Sequence, residues 1–134
     1  MTTIGLQPIM LKDATFTVAE DDYTAAVTQV VFVPQVVWGW GDTLTDSLPY
    51  FERVRWVCNL AFLQDLTTPG ALSTYLISHA AQTRTVVFAP NAGGTAVRAD
   101  VMIVPAPIGG VPGQQLTASV TMPLFEEPTL GTVV

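Results

Sequence analysis

The apolar and polar positions of this chain fall mainly into a period of two. Residues 11–18 alternate, with Ala14, Phe16 and Val18 on one side and Asp13, Thr15 and Thr17 on the other. Successive strand side chains point to opposite faces, so the pattern predicts a half-buried strand. Glu20, Asp21 and Asp22 follow as an acidic turn. Residues 25–33 are apolar on both faces apart from Thr28 and Gln29, which predicts a central strand ended by Pro34. Residues 53–63 alternate most clearly: Val54, Trp56, Cys58, Leu60 and Phe62 oppose Arg53, Arg55, Val57, Asn59 and Ala61. Residues 83–89, 97–104 and 116–122 complete a set of six strands. The last sets Leu116, Ala118, Val120 and Met122 against Thr117, Ser119 and Thr121.

Three segments break the period. Residues 34–52 hold Trp38, Gly39, Trp40, Gly41, Asp42 and Pro49 without a clean repeat, and read as a long loop. Loops of that length are usually functional or disordered, and two tryptophans favour docking onto something. Residues 69–81 predict the one helix. Thr68 suits its N-cap, Pro69 its first position, and Leu72, Leu76 and His79 share a face. Residues 123–134 read as a C-terminal tail. The expected fold is mainly β, a sandwich or barrel-like single domain over residues 1–134 with one flanking helix.

Composition supports sheet and adds a problem of surface. The chain holds 18 Val, 18 Thr and 5 Ile, and such β-branched residues favour a pleated backbone. Apolar residues make up 49 % and charged residues only 12 %, about half the usual charged share. Some apolar surface therefore needs cover. A membrane is not expected to supply it, because no apolar stretch approaches the roughly 20 residues of a spanning helix, and residues 1–4 lack the start of a secretory signal. A protein partner, most simply another copy, is the better expectation.

The net charge of −6 argues against a protein that grips nucleic-acid backbone, which needs clustered Lys and Arg. Candidate chemistry is sparse. Cys58 lies on the apolar face of its strand and reads as a buried structural thiol; His79 reads as a helix C-terminal cap. The 20–22 turn has no calcium-loop spacing, and the glycine turns at 91–94 and 108–110 lack the context of a phosphate loop. No catalytic residue, metal ligand or cofactor is expected, and an enzyme is not expected.

Several stretches taken in order resemble the major tail tube proteins of long-tailed, siphovirus-like bacteriophages. Residues 11–18 with 23–27 resemble the opening strand pair of that family. Residues 56–65, running into Gln64-Asp65, resemble its central strand, and 68–76 the start of its single helix. Ile108-Gly109-Gly110, residues 116–123 and Pro128 resemble the closing turn and last strand. The helix departs from the family pattern by ending at Gln82-Thr83 in place of a glycine, and the Trp38–Trp40 segment is unusually aromatic.

The resemblance implies a sandwich or barrel with a flanking helix, six copies per ring, and sheets joined into an inner barrel. It implies rings stacked into the virion's tail tube, made in the host bacterial cytoplasm, through which double-stranded DNA passes without specific binding. Tail terminator, tape measure and baseplate or tip proteins are the implied further partners. Under this reading Trp38, Trp40, Asp42, Tyr50, Phe51 and Phe125 are expected at subunit interfaces, within the 34–52 loop and the 123–134 tail. Asp13, Asp21, Asp22 and Asp100 are the candidates for a lumen whose carboxylates repel passing DNA. Open alternatives are a tail terminator, a head–tail connector, a capsid decoration protein, the tube of a contractile injection or secretion system, or a small β-sandwich binding module of unrelated origin.

Overall fold

A computed structural model of the chain describes residues 2–6, 14–90 and 94–132. The described residues are mainly β, with two antiparallel sheets and one short helix. The strands are β1 (Thr15–Val18), β2 (Asp21–Asp22), β3 (Val27–Asp42), β4 (Ser47–Leu63), β5 (Thr83–Ala89), β6 (Thr95–Met102), β7 (Thr117–Pro123) and β8 (Thr129–Thr132). One sheet has five strands in the order β2-β1-β5-β6-β8, and the other has three in the order β3-β4-β7.

The alternating segments fold as expected except at their ends, where Val54 and Leu116 of the expected apolar faces are exposed. Phe16 and Val18 of β1, Cys58, Leu60 and Phe62 of β4, and Ala118, Val120 and Met122 of β7 are buried. With Val86, Val101 and Ile103 they form one core between the sheets. Burying each such apolar side chain contributes roughly 1.5–3 kcal/mol, which is what sets the register of both sheets. The expected strand face of residues 11–13, Asp13 included, lies outside the described residues, as do residues 91–93 of the glycine turn.

Four expectations change. The strand at 25–33 is not central: among the described residues β3 pairs with β4 alone and is a sheet edge. Among the described residues nothing covers its second apolar face, so apolarity on both faces did not mean burial on both. Residues 34–52 are not a loop but the outer part of a long hairpin, in which β3 and β4 stay paired from Val27↔Phe62 to Asp42↔Ser47. The helix α1 is shorter than 69–81, spanning Leu72–Ser78 with Ala71 at its N-cap. Gly70 takes φ +77, which a helix cannot contain, so Pro69 stays outside. Part of the 123–134 tail is the edge strand β8.

The turn before α1 shows why Gln64 and Asp65 matter to the fold. The Asp65 carboxylate accepts from the hydroxyls and N–H groups of Thr67 and Thr68. These bonds, the Thr68 hydroxyl foremost, hold its pKa well below the usual carboxylate range. Gln64 donates to the carbonyls of Gly109 and Thr117 at 3.0 and 2.8 Å, tying the 103–116 connection to the end of β4. Tyr23 donates to the Gly70 carbonyl at 2.9 Å, fixing the turn from the other side.

Candidate assembly surface

The hairpin defines the most unusual surface of the molecule. β7 pairs with β4 only over Val57–Leu63. Beyond that level β3 and β4 continue alone as a two-stranded arm, residues 34–42 and 47–56. At about 3.4 Å per residue the arm reaches roughly 30 Å from the body.

Its polar tip closes it. Thr43 N–H donates to the Asp46 carbonyl at 2.7 Å, and Asp46 N–H donates to the Thr43 hydroxyl at 2.8 Å. Ser47 donates to Asp42 at 2.8 Å across the last pair of the ladder. Asp42, expected at an interface, therefore has a local bond that shapes the turn. Leu44 projects from this tip fully exposed.

One face of the arm is a continuation of the core face. Along β3, Val30 and Phe32 pack against the core and Val36, Trp38 and Trp40 follow in the same phase. A register shift between Val37 and Trp38 then matters. Val37 pairs with Arg53 but Trp38 pairs with Phe51, so Glu52 is the extra residue of a β-bulge. Without the bulge Phe51 would face away; with it, Phe51 joins the tryptophans. Trp38 and Trp40 meet edge to face, with ring centroids 5.8 Å apart. Trp38, Trp40 and Phe51 are 59, 58 and 64 % exposed. Tyr50 and Leu48, on the other face opposite Gly39 and Gly41, are also more than half exposed.

A two-stranded ribbon is marginal in water by itself. Here it also displays aromatic groups that each offer about 150–250 Å² of surface for burial. Five of the six expected interface residues are thus gathered on one arm. Phe125 is not with them. It lies where the chain crosses between sheets, with Leu124 N–H donating to the Trp56 carbonyl and Phe125 N–H to the Asp100 carbonyl, each at 3.0 Å. Its ring is exposed.

The acidic candidates lie on the five-stranded sheet. Asp21 and Asp22 form its edge strand β2. Asp22 accepts from the Thr24 hydroxyl and N–H, which lower its pKa. Asp100, on β6, accepts from the Thr85 hydroxyl directly opposite at 2.6 Å. The described residues form one ion pair, Arg53 with Glu52 at 4.0 Å, so the basic residues do not neutralise these carboxylates.

Cys58 and His79 take the places expected from sequence. Cys58 is fully buried, and burial pushes its thiol up to about 12. The His79 ring stacks on Tyr75 at 4.2 Å and its Nδ1 lies 3.1 Å from the Tyr75 carbonyl at the helix end. Among the described residues no group of three His, Cys, Asp or Glu is placed to hold a metal ion, and no helix is long and apolar enough to cross a membrane.

Sequence reasoning missed the exposed apolar residues Val36, Leu44 and Leu48 of the arm and the positions of β3 and β7 at the two ends of the three-stranded sheet. The signal for the arm was present as the i, i+2 spacing of Trp38 and Trp40 on one strand and of Leu48 and Tyr50 on the other. No protein-family model and no curated protein matches this chain.

Proposed function

We propose that this chain is a structural subunit that polymerises with copies of itself, as hexameric rings stacked into the tail tube of a long-tailed phage. The observation that carries the polymerisation is the arm: a paired ribbon reaching beyond the body, with Trp38, Trp40 and Phe51 in one uncovered row. Aromatic residues anchor interfaces, and a protruding element that fits a different surface of an identical neighbour makes a head-to-tail contact. Such contacts close into rings or extend into filaments. The ordered stretches of tail-tube resemblance supply the choice of assembly. The unusual apolarity of the chain agrees with extensive subunit contact.

In this role the protein needs no bound cofactor and no reaction. Its work is to hold a wall together while double-stranded DNA passes. Negative-stain electron microscopy of the purified protein tests the reading. Hollow tubes or stacked rings with six-fold rotational symmetry are expected. A protein that stays monomeric at every concentration, with or without a tail initiator complex, overturns it.

A further inference from the structure

The body of this protein is built from two layers, and the arm is one layer without its second. Over the body the five-stranded sheet covers the core side of the three-stranded sheet. Among the described residues that cover ends at Val97 and Leu130, which pair with each other on β6 and β8 and lie beside Phe32 and Trp56. Beyond this level the core-side face runs on along the arm as Val36, Trp38, Trp40, Pro49, Phe51 and Val54, with no charged residue among them. An apolar sheet face is buried by a second layer packed about 10 Å away.

The end of the cover is open. Phe32, Trp56, Val97, Pro128 and Leu130 line a groove of about 200 Å³ there, with Glu127 the one charged residue on its wall. The indole N–H of Trp56 is buried and has no acceptor, a costly state for a donor. Leu130 stands 73 % exposed at the groove. At the other end of the arm Leu44 is fully exposed.

We propose that the free chain forms a two-fold dimer in which the arms of two copies lie face to face and antiparallel, each supplying the layer that the other lacks. A two-fold contact sets a patch against itself, and this patch brings no like charges together over its aromatic centre. The register closes at both ends. With Trp38 on the axis, Val36 of one protomer meets Trp40 of its partner. Leu44, six residues after Trp38, then comes level with Phe32, six residues before it. The exposed leucine therefore arrives at the open groove, in the layer where the five-stranded sheet stops.

The area is sufficient. Aromatic side chains offer about 150–250 Å² each, and Trp38, Trp40 and Phe51 are 59, 58 and 64 % exposed, so with Leu44, Val36 and Val54 the face offers roughly 650 Å² per copy. Two copies together bury roughly 1,300 Å², within the range of about 1,200–2,000 Å² found in stable complexes. Resting on the tube reading, this dimer is the resting form of the unassembled subunit. Arms that cover each other cannot reach a neighbour in a growing tube, so growth draws on subunits that the dimer releases.

The full chain tests the dimer with two cysteines. Leu44→Cys with Leu130→Cys places one thiol at the tip and one at the groove, and native Cys58 is buried. In the closed dimer both tip–groove pairs lie within one dimer, so air oxidation should give a covalent dimer and nothing larger. That dimer should build no tubes until it is reduced. Light scattering of the unaltered chain before tubes form should give the mass of two chains, and Trp38→Ala with Trp40→Ala should return the mass of one. A ladder of higher cross-linked oligomers would show the tip docking head to tail and overturn the dimer. A chain that is monomeric before assembly, gives no cross-link and still builds tubes overturns the dimer and leaves the tube reading intact. A covalent dimer that after reduction never builds rings or tubes, with or without an initiator complex, supports the dimer and overturns the tube reading.

Discussion

Gly39 and Tyr50 stand directly opposite each other near the tip of the arm, and the Tyr50 ring fills the space a side chain at 39 would take. A Cβ at Gly39 would come within 2.7 Å of the Tyr50 hydroxyl oxygen and 2.8 Å of its Cζ. A Cβ at Gly41 would meet the same ring at 3.9 Å. An aromatic ring laid across strand glycines restores packing that glycine itself lacks. The arm is therefore sandwiched by its own aromatics, with Tyr50 over the glycines on one face and Trp38 and Trp40 on the other.

Gly39→Ala should displace the Tyr50 ring and loosen the arm without touching the core. The subunit melting temperature should stay within about two degrees, since surface changes away from the core cost under about 0.5 kcal/mol. The concentration needed for assembly, followed by light scattering, should rise severalfold. An unchanged threshold would show that Tyr50 does not shape the assembling surface.

Trp38→Ala with Trp40→Ala should spare the subunit and impair assembly. Buried interface tryptophans commonly contribute about 2 kcal/mol or more each, so the double replacement should raise the assembly threshold by about a thousandfold. Far-ultraviolet circular dichroism of the monomer should keep its strand signal. Collapse of that signal would place the tryptophans in folding and not in docking.

The β1–β2 turn carries backbone strain. Ala19 and Glu20 take φ 49 and 74, a conformation that two-residue hairpins fill with Asn and Gly. Left-handed backbone costs roughly 1–2 kcal/mol in a residue with a Cβ. Ala19→Asn with Glu20→Gly should therefore stabilise the subunit by about 1 kcal/mol or more, read as a rise of a few degrees in Tm. A fall in Tm would mean that the Ala19 and Glu20 side chains stabilise the turn by more than the strain costs.

Cys58 sets an alkaline limit. Its thiol keeps its proton to about 12 when folded, because burial disfavours the thiolate. The unfolded thiol releases its proton near 8.5. The unfolded state thus binds fewer protons above that pH, and stability is lost as pH rises from about 8.5, by up to about 1.4 kcal/mol per unit. Denaturant titrations at pH 7.5 and 9.5 should show the loss, and Cys58→Ala should flatten it. In native buffer a thiol reagent should react with Cys58 only at the rate of unfolding; rapid reaction would contradict its burial.

The sequence alone determined the layers of this protein. Period-two burial at Phe16 and Val18, at Cys58, Leu60 and Phe62, and at Ala118, Val120 and Met122 is a local property, because alternate strand residues must share a face. It also determined that apolar surface is in excess, and placed a helix near Leu72 and Leu76. Only the tertiary structure decided what residues 34–52 are. A strand outside the core has no buried side to alternate against, so its pattern is not apolar against polar, and the ladder from β3 to β4 is a long-range pairing that local periodicity does not encode. The same holds for the edge position of β3, since an uncovered apolar strand and a central one have the same composition. The bulge at Glu52 turns Phe51 toward Trp38, and that single extra residue becomes visible only when the two strands are set side by side.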